Sequence, residues 1–295
     1  MNQRQNYCPY MNFSQKGKMN ILVTHQSVDI DAISACWLIK RFLPGWEDAD
    51  LAFVPAGSTL DNREPDNIPS VIHVDTGLGK FDHHQTDEFT SATKKVYEFL
   101  IEKNHIPQKT KKGLEKIITV VNDLDHFGEV YYPDASSDRY DFLLSQIIEG
   151  LKTPLKDDRK ISEIVFILLD AVIQILKNKV RAEEAIKSSF VFHSRWGKSL
   201  AMESKNEEAL KLALKSGFKL VLKKDPDRGN ARIKTLPDKK LDLSPLYKEI
   251  IKHDKKGTWF LHVSKNMLLN SSSKNPNFIP TSLSLKKLIE IIKGL

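Results

Sequence analysis

Asn20-Ile-Leu-Val-Thr-His25-Gln-Ser-Val-Asp29-Ile-Asp31-Ala-Ile-Ser-Ala-Cys36-Trp-Leu-Ile-Lys-Arg-Phe42 is the stretch on which the fold turns. Asn20 to Thr24 is a short, mostly apolar run that predicts a buried strand. Ile33, Trp37, Leu38 and Phe42 then recur at helical spacing until Pro44-Gly45 stops the helix. A strand feeding straight into a helix predicts an α/β arrangement, and the turn between them holds His25, Asp29 and Asp31. Leu51–Val54 and Val71–Val74 are further strand candidates, the second delivering Asp75 at its carboxyl end before Thr76-Gly77-Leu78-Gly79. In open α/β sheets, sites form at these strand ends.

Helical patterns follow at about Thr93–Lys103, Lys109–Leu124, Arg139–Leu151 and Ile161–Lys187, the last with room for one break. From Phe190 the pattern changes to short strands at Phe190–His193, Phe218–Leu222, Ala231–Thr235 and Thr258–His262. Helices near Glu207–Lys215, Leu243–His253 and Leu283–Ile292 accompany them. The reading is a parallel-sheet α/β catalytic domain over 19–188 and a smaller, basic α+β substrate-binding domain over 189–295. A polar leader spans 1–18, with Met19 a candidate start.

The 295 residues, 40% hydrophobic and 28% charged, suit a globular protein of two domains. The apolar run Ile164–Leu169 is too short to cross a bilayer, and the leader lacks the apolar core of a signal peptide, so a cytoplasmic protein without a membrane partner is expected. Cys8 and Cys36 are too few for a disulfide framework, and Cys36 reads as a core residue. Charge is divided unevenly: from Phe190 onward there are 22 Lys and Arg against 10 Asp and Glu, and in the remainder 23 against 28. The basic half suits either a polyanionic partner or a lysine-coated surface.

His25, Asp29 and Asp31, then Asp75, then Asp82-His83-His84 form a spaced set of carboxylates and imidazoles. Such oxygen and nitrogen donors suit Mn²⁺, Mg²⁺ or Fe²⁺ better than structural zinc. Two cations can share one carboxylate and activate water against a phosphoryl group. Asp75 is the natural shared ligand, between one site built by His25 and Asp29 and another built by Asp31 and His83. A further carboxylate is wanted from Asn122-Asp123-Leu124-Asp125-His126, where Asp123 and Asp125 cannot be separated. Asp-x-Asp before a helix also serves simply as an N-cap.

In order and spacing these residues resemble motifs I to III of the DHH phosphoesterase superfamily. It includes RecJ-type exonucleases, nanoRNA and cyclic-dinucleotide phosphodiesterases and family II pyrophosphatases. The resemblance covers about 20–126. It implies one Mn²⁺ on His25 and Asp29, a second on Asp31 and His83, Asp75 bridging, His84 on the scissile phosphate, Asp82 as its support, and Asp123 or Asp125 as the fourth motif. A looser similarity links Val74-Asp75-Thr76-Gly77, Phe81-Asp-His-His-Gln85, Ala231-Arg-Ile233, Pro237 and Gly257-Thr-Trp-Phe-Leu-His262 to the Myg family of metal-dependent exonucleases. The glycine-rich Gly-Gly-His signature of the usual DHH-associated substrate domain is absent.

Substrate contacts are therefore sought among Arg232, His262, His193, Arg195 and Lys274, with Arg232 and His262 favoured because each lies in a strand whose alternate positions could face a cleft. Trp196 and Trp259 are candidates either for stacking on bases or for the second domain's core. The expectation is a hydrolase acting on phosphodiesters of single-stranded RNA or DNA, or of short oligonucleotides, with two Mn²⁺ ions. Mg²⁺ or Fe²⁺ are alternatives, and homodimerisation is left open. A small-molecule phosphohydrolase acting on pyrophosphate, short polyphosphate or a cyclic dinucleotide is the alternative, and a non-catalytic metal- or nucleic-acid-binding protein the second.

Overall fold

The computed structural model describes residues 19–270 and 277–295, so the expected leader and Lys274 lie outside the described residues. The protein is mixed α/β, with eight α-helices and two sheets among the described residues, one of them wholly parallel. None of these helices is long and apolar enough to cross a membrane. The chain divides into two compact units, parting after Ile173.

The first unit is built on β1 (Ile21–His25), α1 (Ile30–Phe42), β2 (Asp50–Val54) and β3 (Val71–His73). The strands lie in the order β2-β1-β3, all parallel, with Ile21 opposite both Asp50 and Val71. Parallel neighbours require crossover connections, and α1 supplies the first. Every residue of α1 from Ile30 to Ile39 is buried, as befits a helix enclosed on all sides. Val23, Val54 and Val71 form a separate apolar cluster with Leu60 and Ile68.

Next come α2 (Ala92–Glu102), α3 (Gln108–Asp125), α4 (Leu144–Leu155) and α5 (Asp158–Lys187), with α1 packed against both α2 and α3. The helix expected from Arg139 starts instead as a 3₁₀ turn over Asp138–Phe142, with α4 beginning at Leu144. The 30-residue α5 is continuous. The compact units part inside it rather than near residue 188, because Ala182, Ala185 and Ile186 join the core of the second unit, with Leu200, Leu210 and Val221.

The second unit adds β4 (Phe190–Ser194), β5 (Gly197–Glu203), α6 (Glu207–Lys215), β6 (Leu220–Lys224), β7 (Ala231–Thr235), α7 (Ser244–His253), β8 (Phe260–Leu261), β9 (Met267–Leu269) and α8 (Leu285–Lys293). Its mixed sheet has the order β4-β5-β6-β7-β9-β8. One apolar core joins Leu222, Ile233 and Leu268 to Leu246, Ile250, Leu288 and Ile292, and another joins Leu200, Met202 and Val221 to Ala209, Leu210 and Ala213.

Candidate metal centre

The carboxyl ends of β1 and β3 carry the first ligands. His25 closes β1, and the chain then turns through Ser27, whose backbone takes the left-handed conformation at φ 57°. The Asp158 carboxylate holds this turn, accepting from the N–H groups of Ser27 at 2.9 Å and Val28 at 3.3 Å. Asp29 follows as the N-cap of α1: Oδ1 accepts from the Ala32 N–H at 3.0 Å, while Oδ2 lies 3.5 Å from His25 Nε2. Capping and site-building are thus divided between its two oxygens.

Asp31 is fully buried. Its oxygens accept from the Ala92 N–H at 2.7 Å and the Thr93 N–H at 2.9 Å, anchoring it on the amino end of α2, where a helix favours negative charge. Asp75 follows β3 with φ 53°, and its N–H donates to the Phe81 carbonyl at 3.0 Å. Its oxygens face different partners, Oδ2 lying 3.2 Å from His25 Nε2 and Oδ1 3.3 Å from His83 Nε2. His83 Nε2 is also 3.7 Å from Asp31 and 3.5 Å from Asp125. Three overlapping donor sets result: His25, Asp29 and Asp75; Asp75, His83 and His84; Asp31, His83 and Asp125.

The buried Asp82 carboxylate accepts from the Leu78 N–H at 2.7 Å and from His84 Nδ1 at 2.7 Å, fixing a ring that is otherwise exposed. Asp123 and Asp125, equivalent in the sequence, separate here. Asp125 joins His83, whereas Asp123 turns to Tyr132, whose hydroxyl donates to it at 2.7 Å. Gly128 allows that arrangement, since a Cβ there would lie 2.2 Å from Asp123 Oδ1. Asp123 is accordingly outside the donor sets.

Electrostatics shows what the cluster needs. Burial pushes the Asp31 carboxyl up to about 8, reinforced by the charges of Asp75 and Asp125, and burial raises Asp125 to about 6. Burial also acts against charge on Asp75 and His25, yet their hydrogen bonds prevail: Asp75 falls to about 2 beside His25 and His83, and His25 rises to about 11 beside Asp29 and Asp75. Beside Asp75, His83 rises to about 9. Asp75 Oδ1, His83 Nε2 and Asp125 Oδ2 are buried and meet one another only as ion pairs, at 3.3 Å and 3.5 Å, without a well-formed hydrogen bond. Three such atoms converging would be costly in a finished polar network. Divalent cations would fit this set, because they would complete the donors and neutralise the carboxylates.

The other candidates lie in the second unit. Arg232 and His262 belong to the β7-β9-β8 side of its sheet, whereas His193 and Arg195 lie at the opposite edge, on β4 and in the turn after it. Trp196 and Trp259 are core residues: their indole N–H groups donate to the Asp242 carbonyl at 3.0 Å and the Asp254 carboxylate at 2.9 Å. Phe89 belongs to none of the sequence motifs, yet it packs on His126 with ring centroids 4.3 Å apart while 61% exposed. Asp158 was equally hidden, being 131 residues from the Ser27 it holds.

No curated protein matches the chain. Among solved structures, one titled as the DHH domain of a member of a family of ribosomal proteins aligns over 93% of this chain and 86% of its own, at 11% identity and a TM-score of 0.30. That likeness is too distant to bear on fold or chemistry. Residues 22–176 match the family model described as ChrB, C-terminal domain. This span is more than half of the chain, holds every member of the donor sets, and ends close to the boundary of the first compact unit. The chain therefore belongs to the ChrB C-terminal domain family.

Proposed function

We propose that the chain is a divalent-metal-dependent phosphoesterase of the DHH type, cleaving phosphodiester bonds of single-stranded nucleic acid or short oligonucleotides. One observation carries the reading: carboxylates and imidazoles from four chain segments converge around Asp75, leaving three buried donor atoms without a hydrogen bond. His25, Asp29 and Asp75 would hold one cation, and Asp31, Asp75, His83 and Asp125 another. Such cations supply neutralisation of phosphoryl oxygens and acidification of water. Asp75 fixes the two histidines relative to each other, Asp31 ties the set to α2, and Asp82 orients the exposed His84 ring toward a phosphoryl oxygen. The resemblance of motifs I to III to the DHH superfamily supports the same assignment, as does the basic half of the sequence.

A substrate panel tests this directly: short oligoribonucleotides, oligodeoxyribonucleotides, cyclic dinucleotides and pyrophosphate, each with Mn²⁺, Mg²⁺ or Fe²⁺. The expected result is shortening of oligonucleotides that chelation stops and Asp75→Asn lowers by at least about 1,000-fold, consistent with loss of metal-based charge stabilisation of several kcal/mol. Unchanged activity in Asp75→Asn would sink the metal mechanism. Exclusive turnover of pyrophosphate or a cyclic dinucleotide would replace the substrate class.

A further inference from the structure

The β7-β9-β8 half of the second sheet has two unlike faces. Ile233, Leu268 and Leu261 lie with the core that includes Leu222, Leu246 and Ile250. On the register, Arg232 is opposite Leu269, Leu269 opposite Phe260, and Lys234 opposite Met267. Alternate residues share a face, so these five lie on the side turned away from that core. His262 continues the row, its N–H donating to the Met267 carbonyl at 2.9 Å. None of the six belongs to either core, and α6 covers the neighbouring β5 and β6 instead. Phe260 is 56% exposed on the edge strand, with the His262 ring nearly perpendicular at 6.4 Å. Ser264 engages His262 Nδ1, with its Oγ at 2.8 Å and its N–H at 3.1 Å, so that the Nε2 edge of the ring is the one turned from that contact.

The charge on this face is unbalanced. Lys223 and Arg232 are paired directly across β6 and β7, a placement that like charges disfavour. They share one counter-charge, Glu207, whose Oε1 lies 2.7 Å from Lys223 Nζ and whose Oε2 meets Arg232. Arg232 Nε is buried without a partner. Among the described residues Lys234 has no ion pair, and burial first, then Arg232, lowers its ammonium pKa. Surplus cations beside an exposed aromatic ring are the combination that takes phosphates along a backbone and an unstacked base. Paired bases would keep their faces from Phe260.

We propose that this face binds single-stranded nucleic acid, with Arg232, Lys234 and the Nε2 edge of His262 on backbone phosphates and the Phe260 ring against a base. The inference deepens the phosphoesterase reading, and rests on it for taking the bound strand as substrate. It is tested on the full chain by fluorescence anisotropy with a fluorescein-labelled oligothymidylate in excess EDTA, where hydrolysis plays no part. Wild type should bind with an affinity that falls as salt rises. Lys234→Glu should weaken binding at least tenfold and Phe260→Ala at least about fivefold, the lower end for loss of one stacked base. Phe260→Tyr should retain binding, and Lys248→Glu, the same charge change on exposed α7, should leave it within twofold. Circular dichroism checks that each variant is folded. Absence of wild-type binding, wild-type affinity in both Lys234→Glu and Phe260→Ala, or equal loss in Lys248→Glu would overturn the proposal. Retained binding without hydrolysis of any substrate would instead sink the phosphoesterase reading and leave this surface standing.

Discussion

Asp75 is held where a non-glycine residue seldom sits, at φ 53°, and its N–H bond to Phe81 keeps it there. Strain of this kind, of order 1–3 kcal/mol, persists where the surroundings over-determine it, and sites of chemistry are where it collects. The reward is a carboxylate whose two oxygens reach different histidines. Asp123 and Asp125 provide a sharper test, since they stand two residues apart with opposite assignments. Asp125→Asn should reduce metal-dependent hydrolysis at least 100-fold, whereas Asp123→Asn, which disturbs only the Tyr132 contact, should stay within about threefold; steady-state rates at saturating Mn²⁺ decide. Asp158 touches no member of the donor sets but holds the backbone of Ser27 and Val28. Misplaced supporting groups typically cost 10–100-fold, so Asp158→Ala should lower the rate by roughly tenfold with the melting temperature little changed.

At the level of elements, α1 carries Asp29 and Asp31 at its start and is tied at its other end to α5. Asp170 accepts from Trp37 Nε1 at 2.9 Å and from Arg41 Nη2 at 2.8 Å. Burial opposes its charge, but the bonds to Arg41 and Trp37 prevail and hold its pKa below the usual carboxylate value. A carboxyl whose pKa is depressed by folding adds stability above its unfolded pKa of about 3.9, and loses it as pH falls through the folded value. The urea midpoint of wild type should therefore exceed that of Asp170→Asn by a constant margin from pH 5 to 8, and the margin should close below about pH 4. A margin undiminished as the pH falls from about 4 to about 2 would locate the contribution in packing rather than charge.

Most elements were legible because their apolar residues recur at a clear period: β1, α1, α3 and α6 fall within a few residues of where spacing puts them. β5 was not. Its Leu200, Ala201, Met202 and Glu203 are good helix formers, and pairing with β4 on one side and β6 on the other overrides that preference. β9 has only three residues, too few for a pattern. The candidate site was legible where each ligand follows a strand or opens a helix. The choice between Asp123 and Asp125 depends on how the segment beyond α3 folds back to bring Tyr132 to Asp123, which spacing does not encode.

For the whole molecule, Asp125 is a destabilising member of the metal-free cluster. Asp125, raised to about 6, is charged at neutral pH in surroundings that disfavour the charge. A shift of this direction costs stability above the folded pKa, on the order of 1–3 kcal/mol. Asp125→Asn should accordingly raise the melting temperature of the chelated protein by a few degrees. Mn²⁺ should stabilise wild type, because it binds the folded state alone, and should stabilise this variant much less; scanning calorimetry with and without the metal reads both effects. If the melting temperature of the chelated variant falls, the cluster is a structural network complete in itself. The buried Asp125 carboxylate thus sets up a trade-off between durability and activity. Selection for heat resistance alone would erode such a carboxylate, so retention of Asp125 would be a mark of function.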